Sequence, residues 1–131
     1  MLEVKDVKVL VVDDDKDIQE ALCTMIIGLG YSAENIKTAW NGGAAISDCC
    51  RASMDGVPFD LVMSDYQMPY VSGVEFLNEI LTWDESKKPK HVMMISGISE
   101  SDLRGSLPTR VKFLSKANFA DIRAHILSLE F

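Results

Sequence analysis

The sequence has little of what would send a chain out of the cell, into a membrane or onto a nucleic acid. Its cysteines are only three, Cys23, Cys49 and Cys50. An odd number with two adjacent thiols makes a poor disulfide framework, so reduced thiols packed in helices are expected, which favours the cytoplasm. No apolar stretch approaches the roughly 18 residues of a membrane span, and residues 1–6 carry acids without a long apolar run. Neither secretion nor membrane insertion is indicated. Basic residues are sparse: no Lys/Arg run exceeds Lys87-Lys88, and the net charge is -7. The chain therefore lacks the positive footprint of a nucleic-acid binder, and direct DNA contact is not expected. It also lacks internal repeats, low-complexity tracts and linkers. What it has is 131 residues, 47% of them hydrophobic and 25% charged, the composition of one compact domain.

Apolar runs and helical periodicities alternate along the chain. Strands are expected over residues 7–12, 36–40, 59–64, 91–95 and 111–115. Between the first two, Ile18, Leu22, Met25, Ile26 and Leu29 recur at helical spacing, with Asp15 as N-cap and Gly28 and Gly30 at the end. The turn Asn41-Gly42-Gly43 leads into a helix over residues 44–54. Ser72 and Glu75 form a capping box around Gly73, opening a helix with Phe76, Leu77, Ile80 and Leu81 on its apolar face. A short, weak helix is expected over residues 101–107, and Asn118 caps a last one striped by Phe119, Ile122, Ile126 and Leu129. The count is five β/α units. The strand runs are almost continuously apolar, as expected when helices cover both faces of a parallel sheet joined by right-handed crossovers. The fold class is α/β, a doubly wound open sheet.

In such sheets ligands bind beyond the carboxyl ends of the strands, and the chemistry-bearing residues collect there. Asp13, Asp14 and Asp15 close the first run, Asp65 the third, Ser96 the fourth, and Lys116 follows the fifth. Carboxylates about 4 to 6 Å apart repel by roughly 3 to 4 kcal/mol per pair at an effective dielectric near 20, so something must offset the charge. Acids without a His or Cys partner ask for a hard cation with oxygen ligands, Mg²⁺ or Mn²⁺ rather than zinc. His91 falls at the opposite pole and His125 in the last helix, which makes both packing or surface residues. The competing structural account of Asp13 to Asp15 is helix capping with dipole complementarity, which explains one or two acids but hardly three. Tyr66 and Gln67 read as exposed rim residues.

Together these residues resemble the receiver domains of bacterial response regulators in two-component systems. The likeness covers essentially the whole chain: Val-Val-Asp13-Asp14-Asp15, Asp65-Tyr66-Gln67-Met68-Pro69 with Gly73 four residues beyond Pro69, Ser96-Gly97, and Phe113-Leu114-Ser115-Lys116. It implies the flavodoxin-like strand order 2-1-3-4-5, with residues 1–131 as one receiver domain and no output domain. By position, the resemblance makes Asp65 the phospho-acceptor and Asp13 and Asp14 metal ligands together with Asp65 and the Gln67 main-chain carbonyl. Ser96, Gly97, Lys116 and Phe113 become the phosphate-binding and switch residues. It further implies a histidine kinase or histidine phosphotransfer protein as phosphodonor, an unidentified downstream partner, and room for a phosphorylation-dependent homodimer. The output would be read on the fourth helix, fifth strand and fifth helix. Such a protein is no enzyme beyond catalysing its own phosphorylation and slow dephosphorylation.

Some positions depart from the family's usual pattern. Ala117 follows Lys116 where a proline across a cis peptide is usual, so either a strained bond persists or the loop differs. Phe113 replaces the commoner tyrosine and Ser96 the commoner threonine. Two other functions compete with phosphorylation switching. A degenerate receiver acting only as an interaction domain would lack one of the active residues, and none is missing. A haloacid-dehalogenase-like Mg²⁺ phosphatase would normally carry a second acid two residues beyond its nucleophile, where this chain has Gln67.

Overall fold

A computed structural model describes residues 2–103, 105 and 107–131. Five strands, β1 (Val9–Val12), β2 (Ile36–Ala39), β3 (Leu61–Ser64), β4 (His91–Ser96) and β5 (Val111–Ser115), form one sheet. Every pairing is parallel, and the order is β2-β1-β3-β4-β5. Among the described residues the α-helices are α1 (Lys16–Gly28), α2 (Gly42–Met54), α3 (Gly73–Ile80) and α4 (Phe119–Leu127). Their starts follow from local chemistry. Asp15 accepts from the Asp17 and Ile18 amides, Asn41 from Ala44, Ser72 from Glu75 and Asn118 from Asp121, each satisfying amides that a helix start leaves free.

Strand alternation divides the core in two. Val9, Val11, Leu61, Met63, Met93 and Ile95 face α1 and α4, meeting Leu22, Ile26, Ile122 and Ile126. Leu10, Val12, Val62, Val92 and Met94 face the other way, onto Ala45 and Cys49 of α2 and Phe76, Leu77 and Ile80 of α3. All three cysteines are free, as expected, though Cys50 is exposed. His91 packs edge-on against Phe131 and its Nε2 lies 2.7 Å from the Glu130 carbonyl oxygen, a packing role far from the acids.

The fourth crossover differs from expectation. The helix expected over residues 101–107 includes Arg104 and Ser106, which lie outside the described residues. The rest of the segment is not α-helical: Glu100–Asp102 is a 3-10 turn, Leu103 is extended, and Gly105 has φ +88°. Ser99 Oγ donates to Asp102 Oδ2 at 2.7 Å, a local bond that competes with helical pairing, and Pro108 restrains the backbone before it. Val111 and Phe113 of the edge strand β5 are half-buried.

Among the described residues no peptide bond is cis, so Lys116-Ala117 is trans. Residue Tyr66 is a second correction. It is 8% exposed and packs into the α2/α3 side of the core, because the chain folds back after β3 and the Gly73 amide donates to the Tyr66 carbonyl at 2.8 Å. Gln67 is exposed, as expected.

Candidate functional site

The carboxyl ends of β1 and β3 lie side by side, where the chain reverses its direction of travel across the sheet. Asp13 directly follows β1 and is held by its amide, which donates to the Ala39 carbonyl at 3.1 Å. Asp65 directly follows β3, its amide donating to the Val12 carbonyl at 2.8 Å. Both are buried, at 2% and 6% exposure. Asp14 is exposed at the rim, yet carboxylate oxygens of Asp13, Asp14 and Asp65 all lie within 4.8 Å of one another. The three consecutive acids thus divide their work: Asp15 caps α1, Asp13 points inward and Asp14 completes the cluster.

Each buried carboxylate has the same partnership. One Asp13 oxygen accepts from the Asp15 amide at 2.8 Å, and one Asp65 oxygen accepts from the Tyr66 amide at 2.8 Å. The remaining oxygens both meet Lys116, whose Nζ is 2.9 Å from Asp13 Oδ2 and 3.2 Å from Asp65 Oδ2. One cation therefore bridges two acids. Burial pushes the Asp13 carboxyl above the ordinary aspartate range despite the Asp15 and Lys116 hydrogen bonds. Burial and then the charge of Asp13 do the same to Asp65. For Lys116 burial acts downward, but the hydrogen bond to Asp13 and the charges of both acids outweigh it and hold the ammonium above its usual range. Among the described residues the pocket carries one cation, Lys116, for three carboxylates.

Ser96 ends β4 at 2% exposure, on the same sheet face as Phe113. Its carbonyl accepts from the Lys116 amide at 2.9 Å, and its hydroxyl oxygen accepts from the Ile98 amide at 3.2 Å. Gly97 is exposed with open space around it. Phe113 is not part of the carboxylate cluster; it lies inside β5, opposite Met94. Gln67, with Asp14, Tyr66, Met68, Pro69 and Ser72, lines an open groove of about 550 Å³ beside the acids. Another depression, at Cys50, Met54, Trp83 and Lys87, contains none of the expected residues.

Sequence reading passed over two contributors. Gln19 is buried and its side chain reaches the main chain of the site; the available signal was a polar residue three before Leu22 and seven before Ile26, on the buried stripe of α1. Gly73 reads from the sequence as part of a capping box and by its spacing from Pro69, yet a Cβ there would come 1.9 Å from the Asp65 carbonyl oxygen.

A parallel 2-1-3-4-5 sheet with an aspartate cluster at its switch point defines a flavodoxin-like domain with a strand-edge acidic site. The sequence matches the response regulator receiver domain family over residues 9–126, and the chain belongs to that family. A receiver domain (CheY-like) from Methylobacillus flagellatus has a similar structure, with TM-score 0.73 at 21% identity over 95% of this chain and 98% of that one. The chemotaxis response regulator CheY4 of Vibrio cholerae gives 0.72 at 24%, over 92% and 95%. The receiver domain of Ssk1 from Saccharomyces cerevisiae, crystallised with the histidine phosphotransfer protein Ypd1, gives 0.68 at 19%, over 95% and 89%. Among curated sequences, the sensor histidine kinase AtsR of Burkholderia thailandensis is 26% identical over 126 residues, 95% of this chain. The chain spans 20% of the length of that relative. No described helix is long and apolar enough to cross a membrane.

Proposed function

We propose that this receiver domain accepts a phosphoryl group on Asp65 from a phosphohistidine of a histidine kinase or phosphotransfer protein. The observation that carries the reading is the bridge of Lys116 between Asp13 and Asp65, with Asp14 in reach of both. The donor set is oxygen alone, which fits Mg²⁺ or Mn²⁺. Asp13, Asp14, Asp65 and the Gln67 carbonyl would hold the ion, which would neutralise charge on the phosphoryl oxygens.

Asp65 is the nucleophile. As its oxygen bonds to phosphorus, the N–P bond of the donor breaks and its electron pair returns to the imidazole nitrogen. Lys116 adds positive charge on the phosphoryl oxygens, so positioning and electrostatics supply most of the rate. The donor class is supported by the sensor-kinase relative and by the Ssk1 receiver's pairing with Ypd1. Ser96 then turns its hydroxyl from accepting the Ile98 amide to donating to a phosphoryl oxygen. This draws the segment after β4 inward and moves the Phe113 ring, a two-state element biased by new charge. The output face is the β4–β5 crossover with β5 and α4.

Acetyl phosphate with Mg²⁺ should add one phosphoryl group by intact mass, and Asp65→Asn should abolish it. Equal labelling of that variant, or labelling that survives a chelator, removes Asp65 and the metal from these roles. Beryllofluoride should shift Ser96, Phe113 and residues 99–103 together by NMR. Shifts confined to the neighbours of Asp65 would instead make the chain a phosphotransfer intermediate.

A further inference from the structure

Gln19 is the most buried uncharged polar side chain on α1, at 5% exposure, and it faces the main chain of the acidic site. Its Nε2 donates one hydrogen to the Asp13 carbonyl and the other to the Ala39 carbonyl, each at 2.8 Å. The Ala39 carbonyl also accepts from the Asp13 amide at 3.1 Å. Both peptide groups flanking the Asp13 Cα are therefore tied, one to β2 directly and the other through Gln19. The Gln19 main-chain amide donates to the Asp15 carbonyl at 3.0 Å, the first i→i−4 bond of α1 from its N-cap.

We infer that Gln19 is a positioning residue for the metal-holding acids: its side-chain amide locks the main chain at Asp13 so that the Asp13 carboxylate faces Asp65 and Lys116. This rests on the reading of the cluster as a divalent-cation site. With two peptide planes held, the Cα–Cβ direction of Asp13 is set by the backbone and not by its charged neighbours, and it stays set when a cation changes those charges. A neutral amide does this without adding charge to the site. Outer groups that orient ligands in this way are worth about 10- to 100-fold in metal affinity.

Gln19→Met keeps the length and removes both donors; Gln19→Glu turns acceptor oxygens toward two carbonyls. Mg²⁺ titration by calorimetry, well below the melting temperature, should show affinity lowered about 10-fold in Gln19→Met and further in Gln19→Glu. In the wild-type protein, the Gln19 side-chain amide resonances should shift with Mg²⁺ at the same midpoint as the Asp14 main-chain amide. A variant that melts earlier but binds Mg²⁺ as the wild type does makes Gln19 a packing residue and overturns the inference. Where neither variant folds, Gln19 resonances unmoved by Mg²⁺ overturn it equally. Wild-type protein that binds no Mg²⁺ removes the cation reading and the inference together, whereas wild-type binding with unaltered Gln19→Met affinity removes the inference alone.

Discussion

Replacing Lys116 with methionine tests whether the acidic site is held together by one ammonium group. Methionine keeps an unbranched apolar stem and deletes the charge. The Lys116 side chain is 20% exposed and the side chains of its partners Asp13 and Asp65 are 2% and 7% exposed, so solvent screens the contacts weakly. At 2.9 and 3.2 Å, each contact is worth about 5–6 kcal/mol of Coulomb attraction at an effective dielectric near 20. Much of that is offset by the desolvation of the ammonium, which the variant avoids. Removing one partner from a buried ionic group typically leaves a deficit of about 3–5 kcal/mol. For 131 residues that is a melting temperature lower by about 10–18 °C. The loss should depend on pH. Asp13 and Asp65 already sit above the usual aspartate value of 3.8, so the stability they contribute is complete below that value and is lost as pH rises through their raised folded values. Without Lys116 both climb further, so the deficit should be larger at about pH 7.5 than at about pH 5. Mg²⁺ should restore part of it. The assay is thermal melting of both proteins across pH, with and without Mg²⁺. A Lys116→Met protein that melts with the wild type at neutral pH without metal refutes the argument that this cation stabilises two buried acids.

Asp14→Ala should weaken Mg²⁺ binding while leaving metal-free melting equal or higher, because Asp14 is exposed, repels Asp13 and does not cap α1; a clear metal-free loss would return the acid to a capping role. Tyr70 holds φ +69° with a side chain 95% exposed, so Tyr70→Gly should relieve backbone strain at little packing loss. The expected net gain is about 0.5–1 kcal/mol by chemical denaturation, and a loss would show that the ring is used within the chain. Gly73→Ala should destabilise by about 3 kcal/mol or more, since the added carbon meets the Asp65 carbonyl oxygen at 1.9 Å. The same change should slow phosphorylation by acetyl phosphate, and a soluble variant phosphorylated at the wild-type rate would separate Gly73 from the acceptor's placement.

Much of this molecule is written in short-range signals. The helix caps expected at Asp15, Ser72 and Asn118 act over two or three residues, and each is found in place, while Asn41, read as part of a turn, also caps α2. Strands buried on both faces show as unbroken apolar runs because helices cover both sides, and the ends of those runs locate Asp13, Asp65, Ser96 and Lys116 on one edge. Which acid is buried is another matter. Asp13, Asp14 and Asp15 are identical in chemistry, and only the pairing of β1 between β2 and β3 turns the first inward, leaves the second at the rim and makes the third a cap. Tyr66 is hidden because the β3–α3 loop doubles back, a consequence of how closely Gly73 approaches the acceptor backbone. Gln19 has a task because the ends of β1 and β2 come within reach of one amide, and the distance along the chain from Gln19 to Ala39 conceals that. The weak helix expected after β4 gave way for local reasons, Gly105 and the Ser99 bond to Asp102. Propensity and capping are properties of neighbours in sequence, whereas the burial of a charge, the sharing of one lysine between two acids and the pinning of a carbonyl are properties of neighbours in space.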